Sequence, residues 1–473
     1  MKMILIDPNI NSYALMPTLS LAYLKGYIIK KTKHDAKIID LVFHKKNWEK
    51  YILEKISVEK PDLIGFSVMS FNYKEALKIA DFIKKNFDIK IIFGGVHVIL
   101  CPEDVIKNKE IDIICLTEGE EVLKELLDNN LNCKDVKGIW YKENGKIIKN
   151  KNRLLVEDLG ILAFPDFSDF DIDKYFGISN FHFPIMATRG CPYYCTYCSN
   201  LAISRNLEGK YVRSRSADNV IKEIELRISQ YKKKGLKFLY FYDDTFIINK
   251  DFVIDFCKKF KEKGFDKILR WNVNVRANLV TDELIKTMKD AGCIEARMGV
   301  ESANDYIRND IYNKNITKKQ LYDAFKIIKD NGLNLRLYFI IGAPYETIEM
   351  MHESFNMAKE SNADEFIFGQ LLPLPGTEIK NLCEKENLIE NPDDKIISPV
   401  IKTKFTSENQ IKKFCSKLRF FTIQKYTHEG FKYKGIFFLW DITTFLFYYK
   451  YKYNLNLKQI LRWNIQRYKN STL

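Results

Sequence analysis

The chain has 473 residues, 46% hydrophobic and 29% charged, which is enough for two or three domains with separate cores and excludes a small stapled scaffold, wholesale disorder or a collagen-like repeat. The net charge is +14, yet residues 401–473 hold 15 Lys or Arg against Glu408, Glu429 and Asp441, so nearly all of the surplus sits there. The start, MKMILIDPNINSY, lacks the apolar run of a secretory signal; a cytoplasmic chain is expected, with its ten cysteines reduced.

From Lys2 to about Asn129, short apolar runs alternate with helical patterns. KMILID precedes a helix over 17–31, AKIIDL one near 47–58, and DLIGFS one over 73–87; IKIIFGG, a short helix from Pro102, IDIICL and a helix over 120–127 complete the series. This alternation predicts a Rossmann-like, doubly wound parallel sheet of about five strands over residues 1–133. Its ligand crevice is expected beyond the strand carboxyl ends, in the loops of Pro8, Ser67, Gly95 and Glu118. Residues 134–180 are read as hairpin and linker: GIWYKENGKIIKN carries the Asn144-Gly145 hairpin signal, and FPDFSDFDID has neither strand nor helix period.

Alternation resumes at Phe183. Strands FPIMAT, KFLYFYDD, RWNVNVR, IEARMGVE, LRLYFIIG and EFIFGQ, separated by helices, predict a partial (β/α)6 barrel of TIM type over 181–400, with functional side chains at the strand carboxyl ends. Those ends hold Cys191, Asp243, Asp244, Arg276, Glu301, Gly342 and Gln370. Residues 401–473 read as a basic, aromatic helical region. Its run GIFFLWDITTFLFYYKYKY is interrupted by Asp441 and too short to span a bilayer, so Phe437, Trp440, Phe445 and Tyr448 are expected on a helix face packed against the barrel, contact with a membrane surface being the alternative.

Seven cysteines are isolated and read as small buried hydrophobes. Cys191, Cys195 and Cys198 instead form CxxxCxxC directly after a strand. Three thiolates from one loop can hold one face of an iron–sulfur cube and leave one iron open, whereas a closed zinc site wants a fourth ligand that the neighbourhood does not supply. The motif, with Tyr197 before its last cysteine, resembles the radical S-adenosylmethionine superfamily. The resemblance implies a 4Fe–4S cluster whose open iron chelates the methionine moiety, and reductive cleavage of the sulfonium to a 5′-deoxyadenosyl radical that abstracts hydrogen from substrate.

Further strings carry the resemblance along the barrel. FYDDTF (Asp243, Asp244) is similar to the DDxF string, with either aspartate available to the cofactor ammonium; Arg276 is placed to pair with its carboxylate. Glu301 and Ser302 resemble the fourth-strand pair near methionine and ribose. FIIGAPYET (Gly342, Pro344) resembles GxPGET beside adenine, with Tyr345 replacing the second glycine, and PLPGTEI after Gln370 matches the PGT string. Capping, ion-pairing and turn formation are the plain alternatives for each residue singly.

IDPN (Pro8, Asn9), GFSV (Ser67), GGVH (Gly94, Gly95, His97) and LTEGEE (Glu118, Gly119) look like the cobalamin-binding domain that precedes the barrel in a subgroup of that superfamily. The DxHxxG motif is absent, so cobalamin held without that histidine is implied, and His97 is read as fixing a loop or lining the crevice. The resemblance implies methylation of an unactivated carbon. Alternatives are a radical cyclisation or rearrangement, a tRNA methylthiotransferase, for which a second cysteine set is missing, and a non-catalytic cluster or corrin carrier. Expected partners are a small, anionic or lipid-like substrate, a flavodoxin- or ferredoxin-type electron donor, and the inner face of a membrane through the C-terminal region, with no nucleic acid.

Overall fold

Seven strands build the first sheet: β1 (Lys2–Asp7), β2 (Asp35–Asp40), β3 (Leu63–Ser67), β4 (Lys90–Gly94), β5 (Ile113–Cys115), β6 (Ile139–Glu143) and β7 (Lys146–Lys149), in the order β2-β1-β3-β4-β5-β6-β7. The computed structural model describes residues 1–10, 16–179, 181–389, 400 and 402–415. Strands β1 to β5 run parallel, and the near-continuous burial of β1 and β3 is that of strands covered by helices on both faces. Ile4, Ile64, Ile91 and Phe93 pack there against Ile52, Ile79 and Ile83 of the flanking helices.

The hairpin expected in the linker belongs to this sheet. β6 pairs antiparallel with β5, Ile113 opposite Tyr141, and β7 pairs with β6. The short edge strand β5 offers unpaired backbone groups, and buried Ile139 and Tyr141 supply the side chains that hold a sixth strand on it. Asn144 and Gly145 both have positive φ, 48° and 75°, as a two-residue hairpin turn requires.

The second sheet takes β8 (His182–Ile185), then, after the two-stranded ribbon β9 (Thr188–Arg189) and β10 (Arg213–Ser214), β11 (Phe238–Phe241), β12 (Arg270–Val275), β13 (Cys293–Glu301), β14 (Asn334–Ile341) and β15 (Glu365–Gln370). Its order is β15-β14-β13-β12-β11-β8 and every pair is parallel, the partial barrel expected from the alternation. The strands are two-faced. On β13, Ala296, Met298 and Val300 are fully buried on one side, and Glu295, Arg297 and Gly299 alternate with them on the other. Trp271 anchors the outer layer, with its ring near Phe241, Phe246 and Phe256 and its indole N–H donated to the Ala291 carbonyl at 2.8 Å.

Both sheets lie within one compact unit, residues 1–407. Among the described residues no helix is long and apolar enough to cross a membrane. The apolar face expected at Phe437, Trp440, Phe445 and Tyr448 lies outside the described residues.

Candidate active site

The cysteine loop starts from a glycine. β9 pairs with β10, placing Arg189 opposite Arg213, and Gly190 then turns the chain with φ 86°, where a side chain would run into the Tyr211 carbonyl. Cys191, Cys195 and Cys198 follow and line one cavity of about 240 Å³ at the carboxyl ends of the barrel strands. The Cys198 N–H donates to the Cys195 carbonyl at 3.1 Å, and a helix, Ser199–Asn206, starts directly after Cys198. Arg276 Nη1 donates to Cys195 Sγ at 3.8 Å and Asn200 Nδ2 to Cys198 Sγ at 3.7 Å. Burial pushes the Cys198 thiol up to about 11 and Cys191 also upward, so metal would bind by displacing protons. Among the described residues no three His, Cys, Asp or Glu side chains converge on the position of one metal ion. Thiolates that each hold a separate iron of a cube stand further apart than ligands sharing one ion, so three thiols opening on one cavity beside N–H donors fit a cluster.

Asp244, Arg276, Glu301 and Tyr197 line the same cavity. A register irregularity between Gly299 and Glu301 turns Glu301 into it, at the price of φ 67° on a non-glycine residue. Tyr197 donates to Glu301 Oε1 at 3.0 Å, and Lys314 Nζ donates to the same oxygen at 3.0 Å. Burial, then the Glu301 charge, holds the Tyr197 hydroxyl well above its usual range, so it stays a donor. Carboxylates, a guanidinium and an ammonium around one cavity match a ligand carrying an ammonium, a carboxylate and ribose hydroxyls.

The two aspartates divide. Asp243 is 1% exposed and accepts from the Ala187 N–H at 3.2 and 3.1 Å and from Thr188 Oγ1 at 2.6 Å, so it fastens the chain after β8; burial pushes it up to about 6. Asp244 faces the cavity. Ser302, Gly342, Pro344 and Gln370 do not line it: Ser302 is fully buried and accepts from the Asn304 N–H, and Gly342 turns with φ 90° beside Val400.

A second cavity, about 380 Å³, opens at the carboxyl ends of β3, β4 and β5. Ser67, Gly94, Gly95, Glu118 and Gly119 line it. It extends as an apolar slot along Met3, Leu5, Gly65 and Ile92 on the sheet face, with the Met3 methyl and the Leu5 side chain lying over Gly65. A glycine-rimmed mouth over an apolar slot fits a corrin carrying a nucleotide tail. Pro8, Asn9 and His97 lie elsewhere: Asn9 bonds Asp7, and His97 is 3% exposed, with Nδ1 at 2.9 Å from Ser70 Oγ and its ring 4.1 Å from Tyr73. His97 thus fixes the loop after β4.

The barrel closes this second cavity with Met186, Arg189 and Tyr242. Arg213 clasps Glu118 with both terminal nitrogens at 2.8 Å; Arg189 reaches Glu118 at 2.9 Å and Glu120 at 2.7 Å. Of these, Glu118 was expected at the crevice, whereas Met186, Arg189, Arg213 and Tyr242, with Lys314, Arg297, Asn274 and Tyr338 in the first cavity, were not singled out from the sequence. A charged residue set in its strand between two apolar ones, as Arg297 is between Ala296 and Met298, was the one available signal.

The radical SAM superfamily profile matches residues 185–358, and the profile of the B12-binding domain matches residues 8–127. The chain is 32% identical over 416 residues to an uncharacterized methyltransferase of Pyrococcus horikoshii, covering 85% of this chain and 86% of that one. It belongs to the radical SAM superfamily, in the group with an N-terminal B12-binding domain. Its cofactors are a 4Fe–4S cluster, S-adenosylmethionine and cobalamin. It is also similar to the anaerobic magnesium-protoporphyrin IX monomethyl ester cyclase of Rubrivivax gelatinosus, at 27% identity over 85% of this chain and 74% of that one. The fold is that of a radical S-adenosylmethionine methyltransferase from Kitasatospora setae, with a TM-score of 0.69 at 16% identity over 86% of this chain and 80% of that one.

Proposed function

We propose that this radical SAM enzyme is a cobalamin-dependent methyltransferase acting on an unactivated carbon of a small molecule. The observation that carries the reading is that the same two segments line both cavities: Arg189 faces the second and Cys191 the first, and Tyr242 faces the second and Asp244 the first. The cluster supplies, when bound, the electron that cleaves the sulfonium, and cobalamin supplies a carrier for a methyl group. Arg276, Lys314, Glu301 and Asp244 would hold the charged ends of S-adenosylmethionine in the cavity that the three cysteines line, and the Tyr197 hydroxyl, donating to Glu301 Oε1, fixes that carboxylate in place. Met186 and Tyr242 line the second cavity from the barrel, and Tyr242 stands two residues from Asp244 of the first, which brings the two cavities close together.

The similarity to a cyclase supports a second reading, a radical ring closure at the same site. The two differ in products. Methyl transfer consumes one S-adenosylmethionine as methyl donor and one as radical source, so S-adenosylhomocysteine accumulates in step with 5′-deoxyadenosine; ring closure yields 5′-deoxyadenosine alone. Chromatography of both nucleosides after turnover with a cell-extract substrate fraction tests the proposal, and 5′-deoxyadenosine rising without S-adenosylhomocysteine overturns it.

A further inference from the structure

The concave face of the barrel carries a charge ladder that neither cofactor accounts for. Asn274, Arg297, Arg336 and Glu365 lie side by side across β12 to β15 in one row of the register. Arg297 Nε is bound by Glu295; Glu295 also takes Arg336 Nη2 at 3.3 Å, and Arg336 reaches Glu365 at 2.6 Å. Behind the Arg297 guanidinium lies the Tyr240 ring, 4.3 Å from its central carbon, and Tyr240 in turn donates to Asn274 at 3.4 Å. Thus one edge of this guanidinium is held by a carboxylate and one face by an aromatic ring.

The other edge is open. Among the described residues, Arg297 Nη1 and Nη2 make no hydrogen bond, and the side chain, 13% exposed, lines the cavity that holds the three cysteines. Gly299, the next inward-facing residue, has no side chain, and the Glu301 carboxylate and the Lys314 ammonium lie over it, so Arg297 is the residue of this row that leaves donors free on the cavity. A ladder built only for stability would close on itself. This one ends in a rigid fork aimed into the reaction cavity, the arrangement that binds an oxyanion through two parallel N–H bonds.

We propose that Arg297 recognises an oxyanion, carboxylate or phosphate, of the substrate, with Tyr240 and Tyr338 flanking it, and so sets which substrates enter the barrel. This rests on the reading of that cavity as the reaction site. The test is saturation-transfer NMR of the reconstituted full chain with benzoate, phenyl phosphate and benzyl alcohol as probes. At least one anionic probe is expected to bind the wild type, with affinity falling about tenfold or more in Arg297→Gln and less in Arg297→Lys, which keeps the charge without the fork. Benzyl alcohol is expected to bind weakly to all three proteins. Benzoate alone or phenyl phosphate alone identifies the oxyanion, and both outcomes support the proposal. Anionic probes that bind neither protein, bind Arg297→Gln as tightly as wild type, or bind no better than the alcohol overturn it. So does their displacement by S-adenosylhomocysteine, which would make Arg297 a ligand of the cofactor carboxylate. Arg297→Lys keeps the test valid if the glutamine variant does not fold. Wild-type formation of 5′-deoxyadenosine is measured alongside: its absence, with Arg297-dependent anion binding intact, overturns the proposed function and with it the substrate role, leaving an anion site at Arg297, whereas its presence with anion binding lost in wild type overturns this inference alone.

Discussion

Removing the Glu118 carboxylate breaks the ion pairs that it forms with Arg189 and Arg213 between the two cofactor domains. Arg213, with a side chain 3% exposed, gives Glu118 two bonds of 2.8 Å, and Arg189 adds one of 2.9 Å. Glu118→Ala leaves the Arg213 charge with only the Val156 and Tyr211 carbonyls as acceptors. Breaking such a buried pair from one side costs about 3–5 kcal/mol, because the remaining charge stays desolvated. Unfolding entropy of about 2.1 cal/mol/K per residue over the 407-residue unit converts that cost to a fall of about 4–6 °C in Tm. The assay is thermal melting of the cofactor-free full chain, with Glu262→Ala as the comparison; its pairing with Lys258 at 3.9 Å is exposed, and about 1 °C or less is expected. Replacing both partners, Glu118→Leu with Arg213→Met, is expected to recover most of the loss. A Glu118→Ala melting point no lower than that of Glu262→Ala refutes the reasoning.

Alanine at any one of Cys191, Cys195 or Cys198 is expected to remove the iron–sulfur absorption and 5′-deoxyadenosine formation, and alanine at isolated, buried Cys257 to preserve both, as read by iron analysis and chromatography. Gly95→Ala forces a side chain onto φ 96°, with its Cβ 2.7 Å from the Val68 nitrogen; a loss of about 1–3 kcal/mol in stability and weaker corrin retention on gel filtration are expected. Lys314→Met leaves Glu301 with Tyr197 as its partner, and equilibrium dialysis is expected to show about tenfold weaker S-adenosylmethionine binding. Burial lifts the Glu346 carboxyl from 4.5 to about 8, although its Oε2 accepts from Gly342 and Ala343 N–H. The fold therefore holds a proton that the unfolded chain releases, and stability falls as pH rises from about 4.5 to about 8, by up to about 5 kcal/mol. Denaturant melts of Glu346→Gln across that range are expected to be flatter than those of wild type.

The alternation of strands and helices made both sheets legible, since a period of two or of 3.6 is written in every residue of an element. The fate of the hairpin was not, because Asn144-Gly145 encodes the turn and not the strand edge on which β6 docks. Motif residues divided by environment: Cys191, Cys195, Cys198, Asp244, Arg276, Glu301 and Tyr197 meet at one cavity, whereas neighbouring Asp243 spends both oxygens on the backbone and Thr188. Local sequence cannot separate two adjacent aspartates whose difference is set by which face of the strand end each leaves. Arg189 and Glu118, about 70 residues apart, meet only through tertiary packing.

The most direct test of the account is anaerobic reconstitution of the full chain with iron, sulfide and hydroxocobalamin, gel filtration, and addition of dithionite and S-adenosylmethionine to the protein peak. Iron–sulfur and corrin absorption are expected to co-elute with the protein, and 5′-deoxyadenosine to form. A peak that makes 5′-deoxyadenosine but carries no corrin contradicts the two-cavity account, since the slot beneath Ser67 and Gly95 would then serve another ligand, and the methyltransferase proposal falls with it.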